Sequence, residues 1–152
     1  MQDLKKRTRV FAVRIVRLCE ALPRGKTTDV IGKQLLRCGT SVGANYRAAT
    51  RARSNADFIA KMGIVEEDCD ECLYWMELLV DLELMTEKRL VELMKEAHEL
   101  LAMTVTSIKT ARVRERSTEA GARRKGSAET ENRSDGSAED GRSAEDGARS
   151  AE

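Results

Sequence analysis

The chain has 152 residues, of which 41% are hydrophobic and only 3% aromatic, and its formal net charge at pH 7 is +1. It contains no run of 18 apolar residues, and no apolar signal segment follows the charged residues at its N-terminus. We therefore expect no membrane span and a cytoplasmic location. The four cysteines fit a reducing compartment, where they act as small buried hydrophobic residues.

The small net charge is the balance of two oppositely charged segments. Residues 1–53 contain 13 Lys or Arg and 3 Asp or Glu, whereas residues 54–113 contain 6 and 13, respectively. This asymmetry indicates either an anion-binding surface on the first segment or charge complementarity, within the chain or between subunits.

The first predicted helix spans about residues 3–22 and is followed by a stop signal at Pro23–Gly25. Its apolar face is formed by Leu4, Phe11, Ile15, Leu18 and Leu22. Thr27 or Thr28 is predicted to cap the second helix, which spans about residues 29–52.

The third predicted helix begins at Ser54, whose hydroxyl caps it, with Asp57 as the reciprocal acid. Its seam alternates spacings of four and three, which is typical of helices in bundles. The seam residues are Phe58, Met62, Val65, Cys69, Cys72, Met76 and Leu79. The fourth predicted helix spans about residues 86–112. Its inward face is formed by Leu90, Leu93, Ala97, Leu100, Leu101, Thr104, Ile108 and Ala111. No segment alternates as a strand would, so the fold is predicted to be all-α.

The connections between these helices are only a few residues long. Short loops place sequence neighbours side by side, so residues 3–112 are predicted to form an antiparallel up-down-up-down four-helix bundle. Residues 113–152 are predicted to be a disordered, low-complexity tail. Beyond Val113 there is no Val, Ile, Leu, Met, Cys or aromatic residue, and Ser-Ala-Glu recurs four times.

The second helix carries three different faces when it is drawn at about 100° per residue. The apolar stripe contains Ile31, Leu35, Cys38, Val42, Asn45 and Ala49. The basic stripe contains Lys33, Arg37, Arg47 and Arg51. The glycine stripe contains Gly32, Gly39 and Gly43. Because bare backbone allows a close approach, the glycine stripe predicts contact with a further helix, either a neighbouring subunit or the third helix of the same bundle.

Part of this pattern resembles a known family. The run QLLRCGTSVGANY from Gln34 to Tyr46 is followed by SNADFI from Ser54, by Gly63 and an acidic stretch, and by Tyr74-Trp75. It resembles the four-helix bundle proteins encoded by intervening sequences of bacterial large-subunit ribosomal RNA genes, which are related to accessory proteins of diversity-generating retroelements. The resemblance covers about residues 3–112. It implies a homopentamer shaped like a short barrel, whose basic side engages RNA and a reverse transcriptase.

The basic stripe is the best functional candidate. Together with Arg24, Lys26 and Arg53 at the helix ends, it can follow a phosphate backbone, so we expect a non-catalytic bundle that binds RNA or a nucleoprotein. The simpler alternative is a solvated face that keeps the protein in solution. Two further alternatives are a homo-oligomeric scaffold without nucleic acid and a helix-turn-helix with Gly39 in its turn. The apolar stripe, whose phase is unbroken through Gly39, argues against the latter.

No residue pattern supports catalysis or a cofactor. The chain has no phosphate-binding glycine loop, catalytic triad or cofactor fingerprint. A di-iron site needs Glu-x-x-His motifs, and the chain has His98 as its one histidine, with Lys95 three residues before it. Cys69-x-x-Cys72 lies on the helical seam, so we interpret both thiols as packing residues and expect no bound metal.

The remaining polar residues have structural interpretations. Asn45 lies on an apolar stripe, so we expect it to fix helix register or to bond a neighbouring backbone. Ser41 is expected to bond back to the Arg37 carbonyl within its helix. The acidic run of residues 66–71 is interpreted as a solvated face or a docking surface for basic partners.

Overall fold

A computed structural model of the protein describes residues 3–134, with side chains to residue 126. It contains α1 (Leu4–Glu20), α2 (Lys26–Ala49), α3 (Asn55–Asp81) and α4 (Glu87–Ser134). No strand occurs in this part of the chain. The prediction of an all-α fold with four helices is confirmed.

The predicted inward faces form one continuous core. In α2 all apolar members of the stripe are buried, and in α3 the seam is buried from Met62 to Leu79. Burial of such stripes is what stabilises helices of this length, because propensity alone is insufficient. None of the described helices has an apolar stretch that would cross a lipid bilayer.

The N-terminal caps of α3 and α2 differ from the predictions. Ser54 Oγ accepts a bond from the Asp57 N–H at 3.0 Å, as predicted, but the Asp57 carboxylate accepts from the N–H of Arg53 at 3.1 Å. The predicted threonine cap of α2 is wrong, because the helix begins at Lys26 and Gly25 occupies the cap position. Thr28 instead donates its hydroxyl to the Gly25 carbonyl at 2.9 Å.

In the structure, α1 of the same chain packs against the glycine stripe of α2. A Cβ on Gly39 would lie 2.6 Å from Cγ2 of Ile15, and one on Gly43 would lie 3.4 Å from the Thr8 carbonyl oxygen. At Gly32 the neighbour is the side chain of Leu22, at 3.4 Å. The stripe therefore serves packing within the bundle, and the expectation that the third helix or another subunit fills it is corrected.

Contacts between α2 and α3 run in opposite directions along the two helices. Arg37 pairs with Glu71 on α3, and Cys38 lies 3.2 Å from Cys72 between their sulfur atoms. Further along α2, Ser41 bonds Asp68. Residue numbers that rise on one helix and fall on the other are typical of antiparallel neighbours.

Residues 96–111 of α4 also lie against α1 and α3. The Asn55 side-chain amide at the start of α3 donates to the Ala111 carbonyl at 2.8 Å. Arg7 on α1 pairs with Glu96 and Glu99, both at 2.7 Å. These contacts, with those of α2, are those of a four-helix bundle.

α2 is continuous through Gly39, from Lys26 to Ala49. A helix-turn-helix needs a sharp turn between its two helices, so that alternative is excluded. Gly39 is present because of the contact with Ile15 and does not mark a turn.

The chain divides into two compact units, residues 1–115 and residues 116–152. α4 extends past its predicted end at Arg112, to Ser134. The extension is rich in Arg, Glu and Ala, which have high helix propensity. The disorder that we predict for the rest of the tail falls on residues 135–152, which lie outside the described residues.

Candidate nucleic-acid interface

The cations predicted from α2 are all exposed, but they do not form one stripe. Lys33, Arg37 and Arg47 lie on α2, and Lys26 is its first residue. Arg24 precedes the helix, and Arg51 and Arg53 follow its end at Ala49. The predicted helix was too long at this end, so Arg51 is a loop residue.

Arg37 is occupied by a carboxylate of α3. Its Nη2 donates to both carboxylate oxygens of Glu71 at 2.5 Å, and Glu71 also accepts a bond from the indole N–H of Trp75 at 3.0 Å. The Arg37 guanidinium holds the pKa of the Glu71 carboxyl below its usual range, and the bond from Trp75 acts in the same direction. Arg37, although exposed, therefore already has a carboxylate partner within the chain.

A groove with a volume of about 890 Å³ lies between α1 and α2. Six cations line it: Lys5, Lys6, Arg9, Arg14 and Arg17 from α1 and Arg47 from α2. Between them lie aliphatic side chains, of which Val10 and Val13 are 49% and 45% exposed. We call this surface the basic groove.

Asp3 also lines the basic groove, where its carboxylate accepts a bond from the backbone N–H of Lys5. None of the ion pairs among the described side chains includes a cation of the groove. Ion pairs in this part of the chain involve Arg7, Arg37 and Lys61. Arg7, also on α1, is held by hydrogen bonds to Glu96 and Glu99, which raise its pKa. Arg7 and Arg37 thus pair across helix contacts, whereas the groove cations keep their charge un-neutralised and raise the local concentration of anions.

Arg47 is the one member of the predicted basic stripe that lines the groove, and the five α1 cations were missed. The helical period of α1 places four of them, Lys5, Lys6, Arg9 and Arg17, away from Phe11 and Ile15, and these four are exposed, whereas Arg14 lies nearer the apolar face and is half-buried. Their contiguity with Arg47 was not readable from the sequence, because it depends on α1 lying in the glycine stripe of α2.

Asn45 belongs to a polar cluster between α2 and α3. Its amide donates to Ser41 Oγ at 2.7 Å and to Asp68 Oδ2 at 3.3 Å, and Ser41 Oγ donates to the same carboxylate oxygen at 2.5 Å. The predicted bond from Ser41 to the Arg37 carbonyl is wrong, and Thr40 makes that bond at 3.2 Å. The cluster ties α2 to α3 through side chains, which suits the register role predicted for Asn45.

Asp68 departs from the interpretation of the acidic run as a solvated face. It is only 5% exposed, because it lies three residues after Val65 and next to Cys69 on the inward side of α3. Its carboxylate is satisfied by Ser41 and Asn45 and not by a cation. The helical period of α3 is enough to place Asp68 near the seam, but the sequence does not show that Ser41 and Asn45 are its partners.

The outward side of α3 is acidic and partly apolar. Glu67, Asp70 and Glu77 are exposed there, with Ile64 44% and Tyr74 56% exposed. The sequence from residue 62 to residue 87 contains no Lys, Arg or His. The Tyr74 ring meets the edge of Trp75, with ring centroids 4.9 Å apart.

The described residues contain no group of three or more Cys, His, Asp or Glu side chains arranged to hold a metal ion. Cys69 and Cys72 are both buried in the core. Burial raises the pKa of the Cys69 thiol to about 12, which disfavours the thiolate form needed for metal binding.

Comparisons with known proteins agree on one family. The family model described as 23S rRNA-intervening sequence protein matches residues 2–106. A crystal structure of a protein of unknown function from the S23 ribosomal protein family of Bacteroides thetaiotaomicron is similar, with a TM-score of 0.67 and 38% sequence identity. That likeness covers 70% of this chain and 99% of the other. No curated protein matches the chain.

Proposed function

This chain belongs to the 23S rRNA-intervening sequence protein family, and we propose that it binds RNA, free or as nucleoprotein, through the basic groove without catalysing a reaction. The observation that carries the proposal is the set of six cations that line one groove and take part in none of the ion pairs among the described side chains.

The dimensions of the groove suit a phosphate backbone. Lys5 and Arg17 are twelve residues apart on α1, so at about 1.5 Å per residue they span roughly 18 Å. Several consecutive phosphates fit along that length. Arg9, Arg14, Arg17 and Arg47 present guanidinium groups, which can bond phosphate oxygens in a bidentate manner.

Matched charge variants test this proposal. The groove variant carries Lys5→Gln, Arg9→Gln, Arg17→Gln and Arg47→Gln. The control variant carries Arg24→Gln, Lys33→Gln, Arg51→Gln and Arg53→Gln. All eight residues are exposed, and both variants lose four positive charges.

RNA affinity is measured by fluorescence anisotropy over a range of salt concentrations, with helicity checked by circular dichroism. Each lost phosphate contact flattens the slope of log affinity against log salt by about 0.7 to 0.9, so the groove variant is expected to lose roughly three units. The control variant is expected to lose less than about one unit. Equal losses in the two variants would contradict a localised groove, and a larger loss in the control variant would favour the cations predicted from α2.

A second candidate function is self-assembly, favoured by the acidic outward side of α3. This surface is complementary in charge to the basic groove, and both contain exposed apolar residues, such as Ile64 and Val13. The two surfaces differ, so copies joined in this way form a head-to-tail contact that closes into a ring if the rotation permits. The resemblance implies a ring of five.

Charge exchange tests the assembly. A variant with Arg9→Glu and Arg17→Glu and another with Glu67→Lys and Asp70→Lys are each expected to be monomeric, and their mixture is expected to associate. Mass measurement in solution at low and high salt provides the readout. If the parent protein stays monomeric at micromolar concentration in every salt condition, the proposed self-assembly is wrong.

A further inference from the structure

We propose that the basic groove takes double-stranded RNA in preference to single-stranded RNA. This inference rests on the proposed RNA-binding function and adds the form of RNA that the groove accepts. It follows from which side chains line the groove and from where the aromatic residues lie.

No aromatic residue lines the basic groove. Apart from its charged residues, the lining consists of Thr8, Val10, Ala12, Val13, Thr40, Gly43 and Ala44. Proteins that bind single strands combine a cationic channel with aromatic rings on which the unpaired bases stack. The groove offers the cations without the rings, so unpaired bases gain nothing from entering it.

The aromatic residues of this chain cannot supply a stacking platform next to the cations. The chain has five, all in its described part. Phe11 is fully buried, and Tyr46, Phe58 and Trp75 are partly buried against the core. Tyr74 is 56% exposed, but it lies on the acidic side of α3, which repels phosphate.

A duplex compensates for the missing stacking through its charge density. A duplex carries about one phosphate per 1.7 Å of axis, counting both strands, and releases more condensed counterions per neutralised phosphate than a single strand does. The backbone of a duplex is already stiff, so the RNA loses little conformational freedom when it binds along α1 and α2. The cations stand on two helices, five on α1 and one on α2, as contact with a broad backbone surface requires.

The probe is a 20-nucleotide RNA strand of mixed A and C residues, used alone and annealed to its complement. At about 100 mM salt the parent protein is expected to bind the duplex at least tenfold more tightly, and with a steeper salt dependence, in the approximate ratio of 0.9 to 0.7 per contact. The groove variant is expected to lose this preference. Tyr74→Ala is expected to bind both forms as the parent does, because it changes the exposed aromatic ring outside the groove.

Two results would overturn the preference for duplex while leaving the proposed function in place. One is single-strand binding as tight as duplex binding in the parent. The other is a loss of single-strand affinity in Tyr74→Ala, which would reveal a stacking surface. Failure of the parent to bind either form at low salt would instead overturn the proposed function itself.

Discussion

Gly39 on α2 faces Ile15 on α1 at a distance that excludes any side chain. A Cβ placed on Gly39 would lie 2.6 Å from Cγ2, 2.8 Å from Cγ1 and 2.9 Å from Cβ of Ile15. These atoms belong to the β-branched part of the side chain, which is stiff about its first torsion. The contact therefore sets how closely α1 approaches α2, and so the shape of the basic groove above it.

Gly39→Ala is expected to destabilise the bundle by about 1–3 kcal/mol, because the added methyl group overpacks the contact with Ile15. The control is Gly63→Ala on α3, where a Cβ would meet nothing within 4 Å. There the higher helix propensity of alanine is expected to raise stability by about 0.5–1 kcal/mol. Urea unfolding measures both, and a Gly39→Ala protein as stable as the parent would show that α1 can shift without loss.

Loss of the Asp68 cluster is expected to weaken the packing of α3 on α2. Ser41→Ala removes the donor at 2.5 Å and leaves a buried carboxylate with Asn45 alone, at a cost of about 1–3 kcal/mol. Asp70→Ala, at an exposed position of the same helix, is the control and is expected to change stability by less than about 0.5 kcal/mol.

A double-mutant cycle separates this cluster from general effects of truncation. If Ser41 and Asp68 act through their mutual bond, the combined loss in Ser41→Ala with Asp68→Ala is smaller than the sum of the single losses. Strict additivity would mean that the two side chains contribute independently and that the cluster does not set helix register.

The periodic spacing of apolar residues predicted the helices and most of the core. The features that it did not predict depend on contacts between residues far apart in the sequence. The spacing of Leu35, Cys38 and Val42 identifies an inward face because helical geometry fixes which side chains share a side. The residue that contacts Gly39 depends on how α1 crosses α2, and no short stretch of the sequence specifies that crossing. For the same reason Arg47 was found as a basic residue, but its five neighbours across the groove were not.

Removal of residues 117–152 is expected to leave the melting temperature within about 2 °C of the parent value, because little stability depends on them. The division between the two compact units falls at residues 115 and 116, and every side chain from residue 116 to residue 126 is exposed. Little apolar area is therefore lost with the segment. Thermal unfolding followed by circular dichroism gives the value, with the full chain as control. A fall of more than about 8 °C would mean that the segment stabilises the bundle by at least about 1 kcal/mol.

The ion pair between Arg37 and Glu71 predicts a dependence of stability on pH. The bond from Arg37 holds the pKa of Glu71 below its usual range in the folded protein, with Trp75 adding to the effect, whereas in the unfolded chain the pKa returns to about 4.3. A depressed folded pKa stabilises the protein above the unfolded pKa, and this contribution disappears as the pH falls through the folded value. Glu71→Gln is therefore expected to be less stable than the parent near pH 7, by a small margin because the pair is partly exposed.

The margin between Glu71→Gln and the parent is expected to shrink as the pH falls below about 4, because the unfolded parent then binds a proton at Glu71 that the folded protein, with its lowered pKa, takes up only at lower pH. Urea unfolding at several pH values measures it. Glu67→Gln is the control, since Glu67 is exposed on the same helix and none of the ion pairs of the described residues includes it. Its difference from the parent is expected to stay near zero throughout. A Glu71→Gln margin that is constant from pH 7 to about pH 3 would mean that its origin is packing against Trp75 and not the charge of Glu71.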